Sequence, residues 1–138
     1  MELDPRRPTV RNPPENFTGD VWLDPVAGPR DEGWTLMANI VRFGPGARTA
    51  WHSHPRGQTL YVLEGVAWVE TRAGERQEVG AGRTVWCPPG EEHWHGATPD
   101  SFMAHLALND SGGDPASAAV WGEHVTDEEY LAGAEPVS

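Results

Sequence analysis

The sequence predicts a single all-β domain, a small β-barrel followed by a short C-terminal helix. The chain has 138 residues, the length of one domain and enough to bury a core without disulfides. Its 16 glycines and 13 prolines are spread along the chain, which favours short strands joined by turns. Apolar residues make up 38 % of the chain and include seven tryptophans, so the composition is that of a folded protein.

The first sixteen residues differ from the rest of the chain. Residues 1–16 contain four prolines and few apolar side chains, and proline fits poorly into helix interiors and strand ladders. We therefore expect an extended arm, rather than a strand or a helix, that either packs along a partner subunit or moves freely. The barrel is expected over residues 17–110 and a C-terminal tail over residues 111–138.

The barrel region consists of short apolar or alternating stretches separated by glycine- and proline-rich turns. Strands at such spacing are typical of an antiparallel sandwich or barrel. In the tail, Thr126 and Glu129 have the spacing of a capping box, which predicts a helix from about Asp127 to Ala132. The expected strands are 21–23, 34–43, 49–54, 58–63, 66–72, 76–79, 83–87, 93–97 and 102–109.

Charge and composition exclude several classes of function. The net charge is −11, from ten arginines, no lysine and 21 acidic residues, which argues against nucleic acids and anionic membranes as partners. The single cysteine, Cys87, cannot form an internal disulfide and is expected to be a small buried residue. No apolar segment approaches the roughly 20 residues of a membrane span, and the N-terminus lacks the apolar core of a secretory signal. We expect a cytoplasmic protein.

The histidines suggest a metal site. Side chains two residues apart on a strand share a face, so His52 pairs with His54, and His93 with His95. Imidazole is the commonest protein ligand for transition metals, and a set of histidines from two strands leaves coordination positions open for a substrate. A single strand histidine would more often be structural, but two pairs together favour a catalytic metal. His124, near the tail helix, is expected to be structural or exposed.

Two segments carry the spacing of known motifs. Residues 46–65 read G(x)5HxH(x)3Q(x)6G, and residues 82–93 read G(x)5PxGxxH. Both resemble the two motifs of the cupin superfamily, which implies a single-domain jelly-roll barrel. The chain departs from those motifs at Gln58, where glutamate is usual, and at Ala97, where asparagine is usual. The resemblance implies that the metal ligands are His52, His54, Gln58 and His93.

Four segments extend the resemblance: GARTAWHSHPRGQT, PPGEEHWHGA, HLAL and GEHVTDEEY. They resemble small bacterial cupins of the manganese-dependent hydroxynitrile lyase type. The resemblance implies one divalent ion, manganese first and iron, cobalt, nickel or zinc as alternatives, with His95 and His105 as proton-handling side chains. Four neutral ligands leave the charge of the ion uncompensated, so it should attract a deprotonated substrate oxygen.

The residues alone support the same division of roles. A single ion is not expected to bind both His93 and His95, so His95 should lie beside it, where a lowered pKa suits a general base. His105 could be that base, its hydrogen-bond partner or a satisfied core histidine. Strand parity places Asn39 and Val41 towards the interior, and we expect them to line a substrate pocket with Asn109. Four tryptophans should fill the core or an interface: Trp51, Trp68, Trp86 and Trp94.

Several functions remain open at this point. The first is a metal-dependent lyase of hydroxynitrile lyase type acting on a small molecule. The second is a dioxygenase of small phenolic or enolic compounds that uses a redox metal in the same site. An isomerase or cyclase, or a non-enzymatic small-molecule-binding protein, would also fit. Because edge strands need cover, we expect a homodimer, or else a homotetramer.

Overall fold

The structure, a computed structural model, describes residues 1–31 and 33–132 and consists mainly of antiparallel strands. Glu32 and residues 133–138, the end of the expected tail, lie outside the described residues. The prediction of an all-β barrel with a short helix is confirmed. The elements are β1 (Val10–Arg11), β2 (Phe17–Thr18), β3 (Val21–Ala27), β4 (Leu36–Phe43), β5 (Arg48–Thr49), β6 (His52–Ser53), β7 (Gln58–Thr71), β8 (Arg76–Gly80), β9 (Thr84–Cys87), β10 (His93–Ala97), β11 (Met103–Asp110), a 3-10 turn (Pro115–Ser117), β12 (Val120–Trp121) and α1 (Asp127–Ala132).

The strands form two sheets that share β7. The first sheet has the order β1-β3-β4-β11-β7-β9, and the second contains β2, β5, β10, β8 and the other half of β7. β6 pairs with β10 and with β12 from the tail. Both sheets contribute apolar side chains to one core: Val21, Val41, Phe43, Ala47, Val62, Ala67, Val69, Val79, Ala97 and Met103.

The long strand β7 corrects one expectation. Residues 58–63 and 66–72 were expected to be two strands separated by a turn at Gly65, but they form one continuous strand. Gly65 has a φ of 73°, and a side chain there would overlap the carbonyl oxygen of Phe102. A register shift in the pairing with β11 lies beside it. Glycine and bulge therefore bend the strand from one sheet into the other without ending it.

Replacing Gly65 with alanine tests this account of the bend. The variant adds an overlap with the main chain of Phe102 to the strain of a left-handed backbone, so we expect a loss of about 3 kcal/mol or more of unfolding free energy. Gly74→Ala is the matched control, because Gly74 has a φ of 85° with open space around it and should lose only about 1–2 kcal/mol. Urea denaturation measures both, and equal losses would contradict the overlap.

The arm also differs from expectation, because it contains a strand. β1 pairs with β3 through Val10 opposite Leu23 and Arg11 opposite Trp22. Prolines precede and follow this pair of residues without falling on it, so both main-chain N–H groups remain free to bond. The prediction that the arm holds no strand is therefore wrong at this point.

The expected strand 49–54 is interrupted. Its residues divide between β5 and β6, because the main chain between these strands bonds elsewhere. The N–H of Ala50 donates to the carbonyl of Asn16 in the arm, and the N–H of Trp51 donates to that of Glu123 in the tail. Segments from both ends of the chain thus hold the loop that precedes His52.

The tail packs its helix on the second sheet. The capping box is confirmed, since Glu129 N–H donates to Thr126 Oγ1 at 3.1 Å and Thr126 N–H to Glu129 Oε1 at 3.0 Å. No helix in the described part of the chain has the length and apolar character of a membrane span. Trp86 is 58 % exposed, so it does not fill the core of this chain, and its place in an interface stays a prediction. The buried cluster under α1 comprises Trp51, Trp68, Trp94, Val125 and Tyr130.

Candidate metal centre

A cavity of about 230 Å³ lies in the interior of the barrel. The predicted pocket residues Asn39, Val41 and Asn109 lie on its wall, and so do Leu23 and Met37. The volume is smaller than the roughly 300–1,000 Å³ of sites for drug-sized ligands, so the cavity suits a small molecule.

The structure brings the predicted histidines together beside this cavity. β6 pairs with β10 so that His52 lies opposite His93, and their ring centres are 4.4 Å apart. His54 and His95 lie 5.0 Å and 5.1 Å from His52, measured between ring centres. None of these side chains is more than 5 % exposed, and the same holds for Gln58. Two HxH pairs on neighbouring strands therefore converge on one buried point, as strand parity predicts.

Main-chain carbonyls fix the tautomers of three of these histidines. A carbonyl only accepts hydrogen bonds, so the ring nitrogen that faces it carries the hydrogen, and the other nitrogen keeps a free lone pair. Metal-binding histidines are oriented in this way. The Nε2 atom of His54 is buried and has no hydrogen-bond partner, which suits a cation ligand. The three contacts are His52 Nδ1 to Ala50 O at 2.9 Å, His54 Nδ1 to Ala118 O at 2.8 Å and His93 Nδ1 to Glu91 O at 3.0 Å.

Gln58 faces the same group of histidines. Its Oε1 lies 3.2 Å from His93 Nε2, and its Nε2 donates to Asn109 Oδ1 at 3.2 Å. The main-chain carbonyl of Glu91 places the hydrogen of the His93 ring on Nδ1, so Nε2 carries none. The 3.2 Å contact between His93 Nε2 and Gln58 Oε1 therefore joins two acceptors. Asn109 Nδ2 lies 2.8 Å from the protonated Nδ1 of His54, which joins two donors. A cation between Gln58 Oε1 and His93 Nε2 relieves the contact between acceptors. Without a cation, a 180° rotation of the side-chain amides of Gln58 and Asn109 relieves the acceptor contact and the donor contact together.

His95 and His105 form a separate pair at the cavity wall. His105 Nε2 lies 3.0 Å from His95 Nδ1, so one hydrogen lies between them. The outer nitrogens, His95 Nε2 and His105 Nδ1, are buried without a hydrogen-bond partner. Burial lowers the pKa of His95 well below its usual value and that of His105 to about 4. Both rings are therefore neutral near pH 7, and the pair keeps a lone pair free to accept a proton.

The other three buried histidines are neutral for the same reason. Burial lowers the pKa of His93 to about 4, holds that of His52 well below its usual value, and lowers that of His54. Neutral imidazole is the form that binds a metal ion.

Distances alone do not reproduce the predicted set of ligands. His52, His93 and His95 each offer a ligand nitrogen within 4.8 Å of the others, so these three buried histidines could hold a metal ion. His54 lies outside this compact group, although it lines the same cavity and its Nε2 lacks a hydrogen-bond partner. The tautomers, in contrast, group His54 with His52 and His93.

Sequence reasoning missed the side chains that the arm and the tail bring to the cavity. Asn12 and Phe17 come from the N-terminal side, and Trp121 comes from β12. The rings of Trp121 and His52 are 4.7 Å apart between centres, and Phe17 packs against Trp121 at 5.4 Å. The apolar pair in β12 is a local signal for a strand, but nothing in it indicates the cavity.

Cys87 takes no part in this constellation of polar groups. It is 2 % exposed, and burial raises the pKa of its thiol to about 12. It remains a thiol at neutral pH, which confirms the expectation of a small buried residue.

Comparisons with known proteins agree with this architecture. The family described as Cupin domain matches residues 39–108. The chain is 45 % identical over 120 residues to an (R)-mandelonitrile lyase of Granulicella tundricola, which covers 87 % of this chain and 89 % of that protein. A cupin-like protein of Thermotoga maritima superposes with a TM-score of 0.83 at 32 % identity over 96 % of both chains. A polyketide cyclase of Streptomyces resistomycificus shares the fold alone, with a TM-score of 0.69 at 19 % identity over 99 % of this chain and 94 % of that one. With the family match over half of its length and a relative at 45 % identity, this chain belongs to the cupin family.

Proposed function

We propose that this chain is a metal-dependent lyase that cleaves a small aromatic hydroxynitrile into an aldehyde and hydrogen cyanide. The observation that carries the proposal is the set of main-chain carbonyls that leaves the Nε2 atoms of His52, His54 and His93 without a hydrogen. His52 and His54 lie on the wall of the small cavity. The 45 % identical relative, named a mandelonitrile lyase, supports the substrate class.

In this proposal His52, His54 and His93 hold the ion through Nε2, and Gln58 holds it through Oε1. His95 is assigned a different role, because its Nδ1 contacts the titratable His105 rather than a main-chain carbonyl. We propose manganese as the ion on the strength of the resemblance. Three imidazole nitrogens and one amide oxygen also suit iron, cobalt, nickel or zinc, and elemental analysis of the purified protein identifies the metal.

When bound, the ion supplies Lewis acidity that stabilises negative charge on the substrate oxygen. The rest of the chemistry is assigned to the histidine pair. His95 Nδ1–H donates to His105 Nε2, which leaves His95 Nε2 with a lone pair towards the cavity. His95 Nε2 takes the proton of the substrate hydroxyl, the C–O bond becomes C=O, and the bond to the nitrile carbon breaks with its electron pair. Cyanide then takes that proton from His95 and leaves as hydrogen cyanide.

The walls of the cavity fit the rest of such a substrate. Phe17, Leu23, Met37 and Trp121 offer apolar or aromatic surface to a phenyl ring. The small volume limits the water that can share the site with the substrate. A ring held on this wall would present its polar group to the histidines.

Cyanide release from mandelonitrile tests the proposal. We expect the metal-loaded protein to release cyanide faster than a buffer blank, to do so equally in air and under argon, and to prefer one enantiomer. Removal of the metal with a chelator should abolish the enantiomer preference, and adding the metal back should restore it. Cyanide release that needs oxygen, or oxygen uptake with phenolic or enolic substrates instead, would point to a dioxygenase and overturn the proposal.

A further inference from the structure

The N-terminal arm brings one polar side chain with an unexplained buried atom to the cavity wall. Six buried side-chain nitrogen or oxygen atoms in the described residues lack a hydrogen-bond partner, and four of them belong to cavity-lining residues. Two of the four, His54 Nε2 and His95 Nε2, are used in the proposed function, and the third, His105 Nδ1, belongs to the ring whose Nε2 pairs with His95. The fourth is Nδ2 of Asn12, which no role assigned so far explains.

An amide nitrogen is a pure donor with two hydrogens, so this position calls for an acceptor. A buried donor without a partner is unfavourable, and a ligand that supplies an acceptor removes that penalty. Of the other amides on the cavity wall, Gln58 donates to Asn109, and Asn39 is not among the buried groups that lack a partner. Asn12 therefore offers the cavity a neutral donor suited to a neutral acceptor.

We propose that Asn12 donates a hydrogen bond to the nitrile nitrogen of the substrate, an inference that rests on the proposed function. A nitrile is linear, and its lone pair points directly away from the carbon that reacts. A donor placed there binds the intact substrate and also stabilises the negative charge that develops on cyanide as the carbon–carbon bond breaks. The arm is thus a wall of the substrate site, with Asn12 in contact with the leaving group.

The position of the arm does not depend on the Asn12 side chain. The main-chain N–H of Asn12 donates to Val21 O at 2.9 Å, and β1 pairs with β3. Further along, the carbonyl of Asn16 accepts a hydrogen bond from the N–H of Ala50 at 2.8 Å. These main-chain bonds remain when the Asn12 side chain is shortened, so a substitution isolates the effect of its amide group.

The test compares two unreactive probes of the same linear shape. Phenylacetonitrile carries the nitrile acceptor but no hydroxyl, and 3-phenylpropyne replaces the nitrogen with a C–H group. Calorimetric binding to the metal-loaded wild type should favour phenylacetonitrile by about three- to tenfold, the value of one hydrogen bond. In Asn12→Ala we expect this ratio to fall to about one, and in Asn12→Asp, which has no donor, to one or below.

Asn16→Ala is the matched control, because Asn16 belongs to the same arm but does not line the cavity, and it should keep the wild-type ratio. A wild-type ratio of one, or a ratio that Asn12→Ala leaves unchanged, would overturn the inference. Cyanide release is measured separately, so the two proposals can fail independently. If the binding ratio depends on Asn12 but the protein releases no cyanide, the lyase proposal fails and the nitrile contact stands. If the protein releases cyanide but the ratio does not depend on Asn12, only the nitrile contact fails.

Discussion

His54→Ala is expected to lower the metal content far below one ion per chain, whereas His95→Ala should retain the metal. The carbonyl of Ala118 fixes the tautomer of His54, and the Nε2 atom of this ring has no hydrogen-bond partner. His95 instead belongs to the pair with His105. Loss of a general base costs about a hundredfold or more, so His95→Ala should lose cyanide release by at least that factor while it stays metal-loaded.

Elemental analysis after dialysis, together with cyanide release, separates these outcomes. His124→Ala is the control for the loss of a histidine outside the cavity, since His124 is exposed in the tail, and it should match the wild type in both measurements. The opposite pattern, metal lost in His95→Ala and retained in His54→Ala, would assign the ion to the compact group of His52, His93 and His95.

The metal-free protein is expected to lose much of its stability between pH 6.5 and pH 4. The pKa values of His93 and His105 fall from 6.5 in the unfolded chain to about 4 in the fold because both rings are buried. In that window the unfolded chain binds protons that the folded chain does not, so stability falls as the pH is lowered. Each of these two histidines accounts for about 3 kcal/mol across the window.

The other buried histidines, His52, His54 and His95, act in the same direction, because burial lowers their pKa values as well. A domain has only about 5–15 kcal/mol of stability, so we expect acid unfolding above pH 4. Urea denaturation from pH 7 to pH 5 measures the slope, since most carboxylates stay ionised over that range.

One substitution tests the origin of this slope. His105→Gln should reduce it by up to one proton, about 1.4 kcal/mol per pH unit. Stability that does not change with pH in this range would contradict the account.

Local pattern was sufficient to predict most of the barrel. Strand periodicity located the centres of the strands, and the capping box located α1 within the expected bounds. The bend of β7 could not be predicted, because glycine after glutamate is an ordinary turn signal. Whether Gly65 ends a strand or bends it depends on the approach of Phe102, which lies far away in sequence.

The residues of the candidate site were likewise predictable only in part. Strand parity brought the two HxH pairs to one face, and the motif spacing added Gln58. The contributions of the arm and the tail, Asn12 and Trp121, depend on pairings between distant segments that leave no local pattern in the sequence. The homodimer or homotetramer and the cytoplasmic location stay predictions.

The central claim is that His52, His54 and His93, with Gln58, hold the metal. The most direct test is a crystal structure of the metal-loaded protein with diffraction data collected on both sides of the absorption edge of the metal. The account predicts one anomalous peak within bonding distance of the three Nε2 atoms and of Gln58 Oε1, with the His95–His105 pair beside it. A peak bound by His95 and not by His54 would contradict it.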